Sequence, residues 1–209
     1  MVLAESLEGA IAEELWEMYE PSVAPLTTLS VDREAYTHDE FLATMADTRT
    51  LKYLAQDDGG ATRGMVTITR HLETVRWINA KYFAARWPKE HAEGRIYYVG
   101  MIAMHPGYQG QGGFKQLLEP IAHIVSRDNR DNGVIAFDVC AHNEGTIDVF
   151  VRALRYGVEF TGREPAGHTL DRLTFYAISF GMDADDREAV DGRVINLDAE
   201  VAGSGRPNR

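Results

Sequence analysis

The stretch RIYYVGMIAMHPGYQGQGGFKQLL, residues 95–118, constrains the fold more than any other part of the chain. A long apolar run with one central glycine leads straight into four glycines, Gly107, Gly110, Gly112 and Gly113, and then into residues with helical period. Glycine costs roughly 0.5–1 kcal/mol relative to alanine inside a regular element, so this density marks a place where bare backbone is wanted. A strand, a glycine loop and a helix in that order turn backbone N–H groups and a helix N-terminus outward, which favours an anionic ligand such as phosphate.

Around this stretch the pattern is that of a mixed α/β domain. Leu7, Ile11, Leu15 and Met18 have helical spacing, and Pro21 is expected to end that helix. Thr37 and Glu40 have the spacing of a capping box ahead of a second helix. LKYLAQ (51–56) and ATRGMVTITR (61–70) flank DDGG and predict a hairpin, with Gly64 marking a bulge or a close backbone approach. Residues 71–94 hold Trp77, Tyr82, Phe83 and Trp87, and read as an extension of the strand followed by a short helix that Pro88 ends. Those aromatics fit core or dimer packing; lining a substrate pocket is the alternative. Residues 95–104 and 134–141 read as buried strands, 113–129 and 143–156 as helices with Pro120 kinking the first, and 172–180 as a closing strand. Gly100 is expected to form a bulge. Simple alternation puts Tyr98 on the face of Gly100 and Ile102. Residues 1–181 thus form one expected domain, and 182–209 an acidic tail.

Composition narrows the function. The net charge of −11 argues against nucleic-acid binding, which needs a basic face. The single cysteine, Cys140, excludes an internal disulfide and a cysteine-based zinc site, and no metal is expected. No apolar run approaches membrane-spanning length and the acidic N-terminus lacks a leader pattern, so a cytoplasmic protein without membrane association is expected.

Two phosphate loops fail against the sequence. A dinucleotide fingerprint beginning at Gly110 meets Lys115 where its third glycine belongs, and a Walker loop beginning at Gly107 meets Gly113 and Phe114 in place of Lys and Ser/Thr. YQGQGGFKQLL after IAMHP instead resembles the acyl-coenzyme A loop of the GCN5-related N-acetyltransferase (GNAT) superfamily, [RQ]-x-x-G-x-[GA]. Gln109, Gly110, Gln111, Gly112 and Gly113 fit that pattern, whereas Phe114 stands where a small residue is usual. The resemblance covers roughly residues 50–181.

It implies an α/β (α+β) fold: a GNAT-like mixed, mostly antiparallel sheet flanked by helices, with splayed central strands 95–104 and 134–141. It also implies an acyl-CoA-dependent N-acyltransferase that moves acetyl from acetyl-CoA to a primary amine of a small molecule or protein by direct attack. On the family pattern, Ile102, Ala103 and Met104 pair with pantetheine, and residues Gln109, Gly110, Gln111, Gly112, Gly113, Phe114 and Lys115 cradle the pyrophosphate. Asn143 contacts the pantetheine arm or simply caps its helix. Catalytic groups are less marked. Phe150 occupies the position of the family's thiolate-protonating tyrosine, with Tyr156 six residues on. Tyr98 stands eleven residues before Gln109, where one branch of the family has a glutamate. Tyr98 and Glu93 are therefore the catalytic candidates, with His105, His142 and Cys140 as lesser ones. The missing hydroxyl and carboxylate leave a second reading open, a catalytically silent acyl-CoA-binding or sensing module. A homodimer is compatible with the aromatic surplus.

Overall fold

The computed structural model describes residues 1–26, 35–108, 117, 118, 121, 133–139 and 170, all within the unit Met1–Leu170. Five strands form one sheet in chain order, β1 (Val2–Ala4), β2 (Thr50–Gln56), β3 (Thr62–Thr69), β4 (Ile96–Met104) and β5 (Val134–Ala136). The pairings are antiparallel except for the parallel β4–β5 pair. Helices α1 (Ala10–Val23) and α2 (His38–Ala46) precede β2, while α3 (Ala80–Arg86) and α4 (Pro88–Ala92) lie between β3 and β4. This is the mixed, mostly antiparallel sheet with flanking helices that the sequence implies.

Local chemistry explains most of these elements. Thr37 accepts the Glu40 N–H while the Glu40 carboxylate accepts the Thr37 N–H, closing the expected capping box at α2. In the β2–β3 hairpin, Asp57 Oδ1 accepts the N–H groups of Gly59 and Ala61 at 2.9 and 3.0 Å, and Gly60 takes φ +84°. Gly64 is a close approach, as expected. A Cβ there would lie 3.0 Å from Leu117 Cδ1 and 3.2 Å from the Ala103 carbonyl oxygen.

Four expectations need correction. The buried strand expected over 134–141 stops at Ala136: Phe137, Asp138 and Val139 lie outside any strand and the last two are exposed, as suits a carboxylate that keeps contact with solvent. Pro21 does not end α1, which runs on to Val23; the buried Met18 and Tyr19 anchor this turn, and Ser22 Oγ donates to the Tyr19 carbonyl at 2.6 Å. Strand β1 was not anticipated. Its pairing with β2 is reinforced by the buried Lys52, whose Nζ donates to the carbonyls of Glu5 at 2.8 Å and Asp47 at 2.6 Å. Finally, residues 71–94 do not extend the strand. They form a single 3-10 turn and two short helices, and Pro88 starts α4 at its first turn, where its missing N–H has no helical partner to lose.

The core lies on both faces of the sheet. Leu54, Met65, Met101 and Ala103 pack against α1 and α2 through Leu15, Met18, Tyr19, Phe41 and Met45. On the opposite face Val66, Ile68, Tyr97 and Val99 pack against the helical residues Leu117, Leu118 and Ile121, which are fully buried. Leu72, Phe83, Ile96, Tyr98 and Ala136 form a third cluster. The expected helix 143–156, the strand 172–180 and the tail 182–209 lie outside the described residues.

Candidate functional site

The site begins with one extra residue in β4. Thr67 pairs with Met101 and Ile68 with Val99, so Gly100 is left opposite no residue of its own. The expected bulge is present, and it absorbs one step of the two-residue alternation. Tyr98 therefore faces the side of Met101 and Ala103, not that of Ile102, which corrects the facing read by simple alternation. Ile102 and Met104 lie toward the helical residues Leu117 and Leu118, whereas Ala103 packs on the α1–α2 side.

The two central strands part at the same level. The β4–β5 ladder consists of Ile96↔Val134, Tyr97↔Ile135 and Tyr98↔Ala136, while β3 follows β4 as far as Met104. From Val99 to Met104, the edge of β4 turned away from β3 has no strand partner among the described residues. Ile102, Ala103 and Met104 lie on this edge, close to the start of the glycine stretch.

That start is fixed by side chains. His105 N–H donates to the Arg63 carbonyl at 2.9 Å, and His105 Nδ1 accepts the Gly107 N–H at 3.1 Å. The Arg63 guanidinium lies 4.6 Å from the centre of the Tyr108 ring while it is paired with Asp57 at 2.6 Å. His105 is thus part of the turn. The residues beyond, Gln109, Gly110, Gln111, Gly112, Gly113, Phe114 and Lys115, lie outside the described residues, as do Cys140, His142, Asn143, Phe150 and Tyr156.

Where the strands part, a polar cluster lies on the α1–α2 side. The buried Tyr98 hydroxyl makes a short hydrogen bond to Asp138 Oδ1. Trp77 Nε1 is shared between the two, donating to Tyr98 Oη at 3.0 Å and to Asp138 Oδ1 at 3.2 Å. Tyr36 meets the Trp77 ring edge-on at 5.4 Å between centres and lies close to Gly100, where a Cβ would be 3.5 Å from its hydroxyl. Thr67 Oγ1 is buried beside the same glycine and has no hydrogen-bond partner among the described residues.

Burial and nearby charge keep the two phenols of this cluster protonated. Burial, then the charge of Asp138, holds the Tyr98 phenol far above its usual range. Burial raises Tyr36 as well, with Tyr19 and Asp138 adding to the effect. Both are neutral hydroxyls at any physiological pH. Tyr98 acts as a donor to Asp138 and cannot serve as a ready base. Glu93, the other candidate, caps the end of α4 and pairs with Arg95 at 2.5 Å. It lies beyond the opposite end of β4 from the glycine stretch, a strand of nine residues and about 26 Å at about 3.3 Å per residue. The structure does not bring Glu93 and Tyr98 together.

Asp138 was missed in the sequence. Its signal was a carboxylate inside the otherwise apolar run VIAFDVCA, since an acid in such a run needs a partner. The aromatics of residues 71–94 divide between the two readings. Phe83 is buried with Trp87 stacked on it at 6.2 Å, while Trp77 and Tyr82 remain about half exposed. Among the described residues no group of three His, Cys, Asp or Glu side chains is placed to hold a metal ion, and no helix is long and apolar enough to cross a membrane.

Acetyltransferases are among the chain's structural neighbours. It is similar to a ribosomal-protein-S18-alanine N-acetyltransferase from Escherichia coli at 15% identity and a TM-score of 0.45, covering 71% of this chain and 73% of that one. An aminoglycoside acetyltransferase from an uncultured soil metagenomic sample, in complex with trehalose, gives 9% identity and a TM-score of 0.48 over 85% of this chain and 96% of the other. Tetrahymena GCN5 gives 8% identity and 0.44 over 66% and 67%. No family model and no curated protein matches the chain.

Proposed function

We propose that the protein is an acyl-CoA-dependent N-acyltransferase of the GNAT kind, moving acetyl from acetyl-CoA to a primary amine. The observation that carries this reading is the parting of β4 and β5 at the Gly100 bulge, next to a strand-to-helix glycine loop. The β4 edge at Ile102, Ala103 and Met104, which has no strand partner among the described residues, is suited to pair with the amides of a pantetheine arm as an added strand. Gln109, Gly110, Gln111, Gly112, Gly113, Phe114 and Lys115 are assigned to the pyrophosphate through their backbone N–H groups. Asn143 is assigned to the arm.

In the proposed reaction an amine that has lost its proton to solvent attacks the thioester carbon. The new C–N bond forms, the C–S bond breaks, and the sulfur leaves with the electron pair. The proton released from nitrogen balances the one that the thiolate takes up. Placing both reactants in one cleft supplies most of the acceleration. Tyr98 is a positioning residue in this scheme, holding Asp138 by a hydrogen bond, and Glu93 is given no part.

The test is a thermal shift with acetyl-CoA. At a hundredfold excess over Kd, binding adds about 2.7 kcal/mol, which for a domain of this size raises Tm by roughly 5–10 °C. Gly112→Glu is expected to abolish the shift, and no shift at millimolar acetyl-CoA refutes the reading. The absence of a tyrosine at Phe150 and the commitment of the Tyr98 proton to Asp138 favour one second reading, a silent acyl-CoA-binding module. Release of CoA with any amine of a broad panel eliminates it.

A further inference from the structure

We propose that Asp138 binds the acceptor amine as its ammonium form, which releases a proton to solvent before it attacks, and that with Trp77 it selects a primary amine bearing an apolar substituent and no carboxylate beside the nitrogen. This inference rests on the acyltransferase reading and deepens it.

Asp138 is held from behind by two neutral donors, the Tyr98 hydroxyl and the Trp77 indole N–H, and both reach the same oxygen, Oδ1. These bonds orient the carboxylate without cancelling its charge. No lysine, arginine or histidine pairs with it among the described residues, and Oδ2 has no hydrogen-bond partner among them. The nearest arginine in sequence to Trp77, Arg76, gives its charge to Glu40 at 3.1 Å. Asp138 is itself exposed, so its carboxylate can be reached from solvent.

Its neighbours supply the rest of the specificity. Trp77, which donates to the carboxylate, is 45% exposed, so apolar ring surface lies beside Asp138. A cation bound at Oδ2 lies near the edge of the indole that donates to Oδ1. The apolar part of the amine then covers Trp77. A second carboxylate next to the amino group faces Asp138 with like charge, and that rejects a free amino acid. Position agrees with this use, because Asp138 is two residues beyond Ala136, the last residue of β5 paired with β4. The anchor therefore stands at the mouth of the gap assigned to the thioester.

The experiment compares 2-phenylethylamine, 2-phenylethanol and phenylalanine by calorimetry on the full chain saturated with CoA. The amine is expected to bind at least tenfold more tightly than either comparator. Asp138→Asn is expected to lower amine affinity at least tenfold while leaving 2-phenylethanol unchanged. Trp77→Phe retains the carboxylate but removes one of its two donors. It is expected to weaken the amine about threefold, and it serves if Asp138→Asn does not fold. Equal binding of the three probes, or amine binding unchanged by both substitutions, overturns the proposal. The acetyl-CoA thermal shift is measured on the same samples. Its presence with failed amine discrimination refutes this inference alone, and its absence refutes the acyltransferase reading and this inference with it.

Discussion

Gly64→Ala is a test of how tightly the helix after the glycine loop is seated on the sheet. Gly64 pairs with Ala55 on one side and Met104 on the other, so its backbone is fixed by both ladders. The new methyl carbon meets Leu117 Cδ1 at 3.0 Å and the Ala103 carbonyl oxygen at 3.2 Å, both tighter than ordinary contact. The carbonyl belongs to β4 and is not free to retreat, so Leu117 has to move. Such overpacking costs roughly 1–3 kcal/mol. Replacing glycine returns roughly 0.4–1 kcal/mol by restricting the unfolded chain. A net loss of about 1–2 kcal/mol follows, a fall of roughly 2–8 °C in Tm. Urea denaturation of a double-mutant cycle isolates the contact. Leu117→Ala alone is expected to cost about 2–5 kcal/mol, because Leu117 is fully buried. In that background the methyl group enters vacated space, so the combined variant should be less damaged than the sum by at least about 1 kcal/mol. Additivity within about 0.5 kcal/mol refutes the packing argument.

Three further outcomes follow from the same structure. Tyr98 is held protonated in the folded state, so above pH ~10 the unfolded chain ionises first and stability falls by up to about 1.4 kcal/mol per pH unit for this group. Tyr98→Phe should flatten that alkaline slope, and an unchanged slope in denaturant titrations at pH 10–12 counts against the assigned environment. Burial depresses Lys52 to about 8, so between pH ~8 and ~10 the unfolded chain binds the extra proton and stability should rise with pH. Lys52→Met should lose this rise, and it should also free β1, seen as faster amide exchange at Val2–Ala4. Thr37→Ala removes the capping box of α2 and should cost about 1 kcal/mol by urea denaturation.

What could be read from the sequence was whatever neighbouring residues decide among themselves. The Asp57–Gly60 turn and the Thr37–Glu40 cap are complete within a few residues, and both formed as expected. Strand β1 has three residues at a sheet edge, and its anchor, Lys52 to the Glu5 carbonyl, spans 47 positions. No local pattern announces it. Pro21 was misjudged for a related reason, since tertiary burial of Met18 and Tyr19 outweighs a missing helical bond near the end of α1. Asp138 meets Tyr98 across 40 residues and Trp77 across 61, so its acidity within an apolar run was legible but its partners were not.

Tyr98 shows how a correct local expectation can still mislead. The glycine at position 100 was read as a bulge, but the consequence of a bulge is a change of phase for every residue beyond it. With regular alternation, Tyr98 would stand on the face of Ile102, against the helical residues Leu117 and Ile121. With one residue absorbed at Gly100, it pairs with Thr69 and turns toward Tyr36 and Trp77. The parallel pairing of Tyr98 with Ala136 ends β5 two residues before Asp138, whose carboxylate then meets the Tyr98 hydroxyl. One unpaired glycine therefore sets both halves of the site. It ends the regular β4 geometry where β5 departs, and it aims the tyrosine that holds the carboxylate. A buried phenol on that face needs an acceptor, and a carboxylate that receives it keeps a second oxygen for a cation. The polar cluster and the open strand edge are thus two consequences of the same break in the sheet.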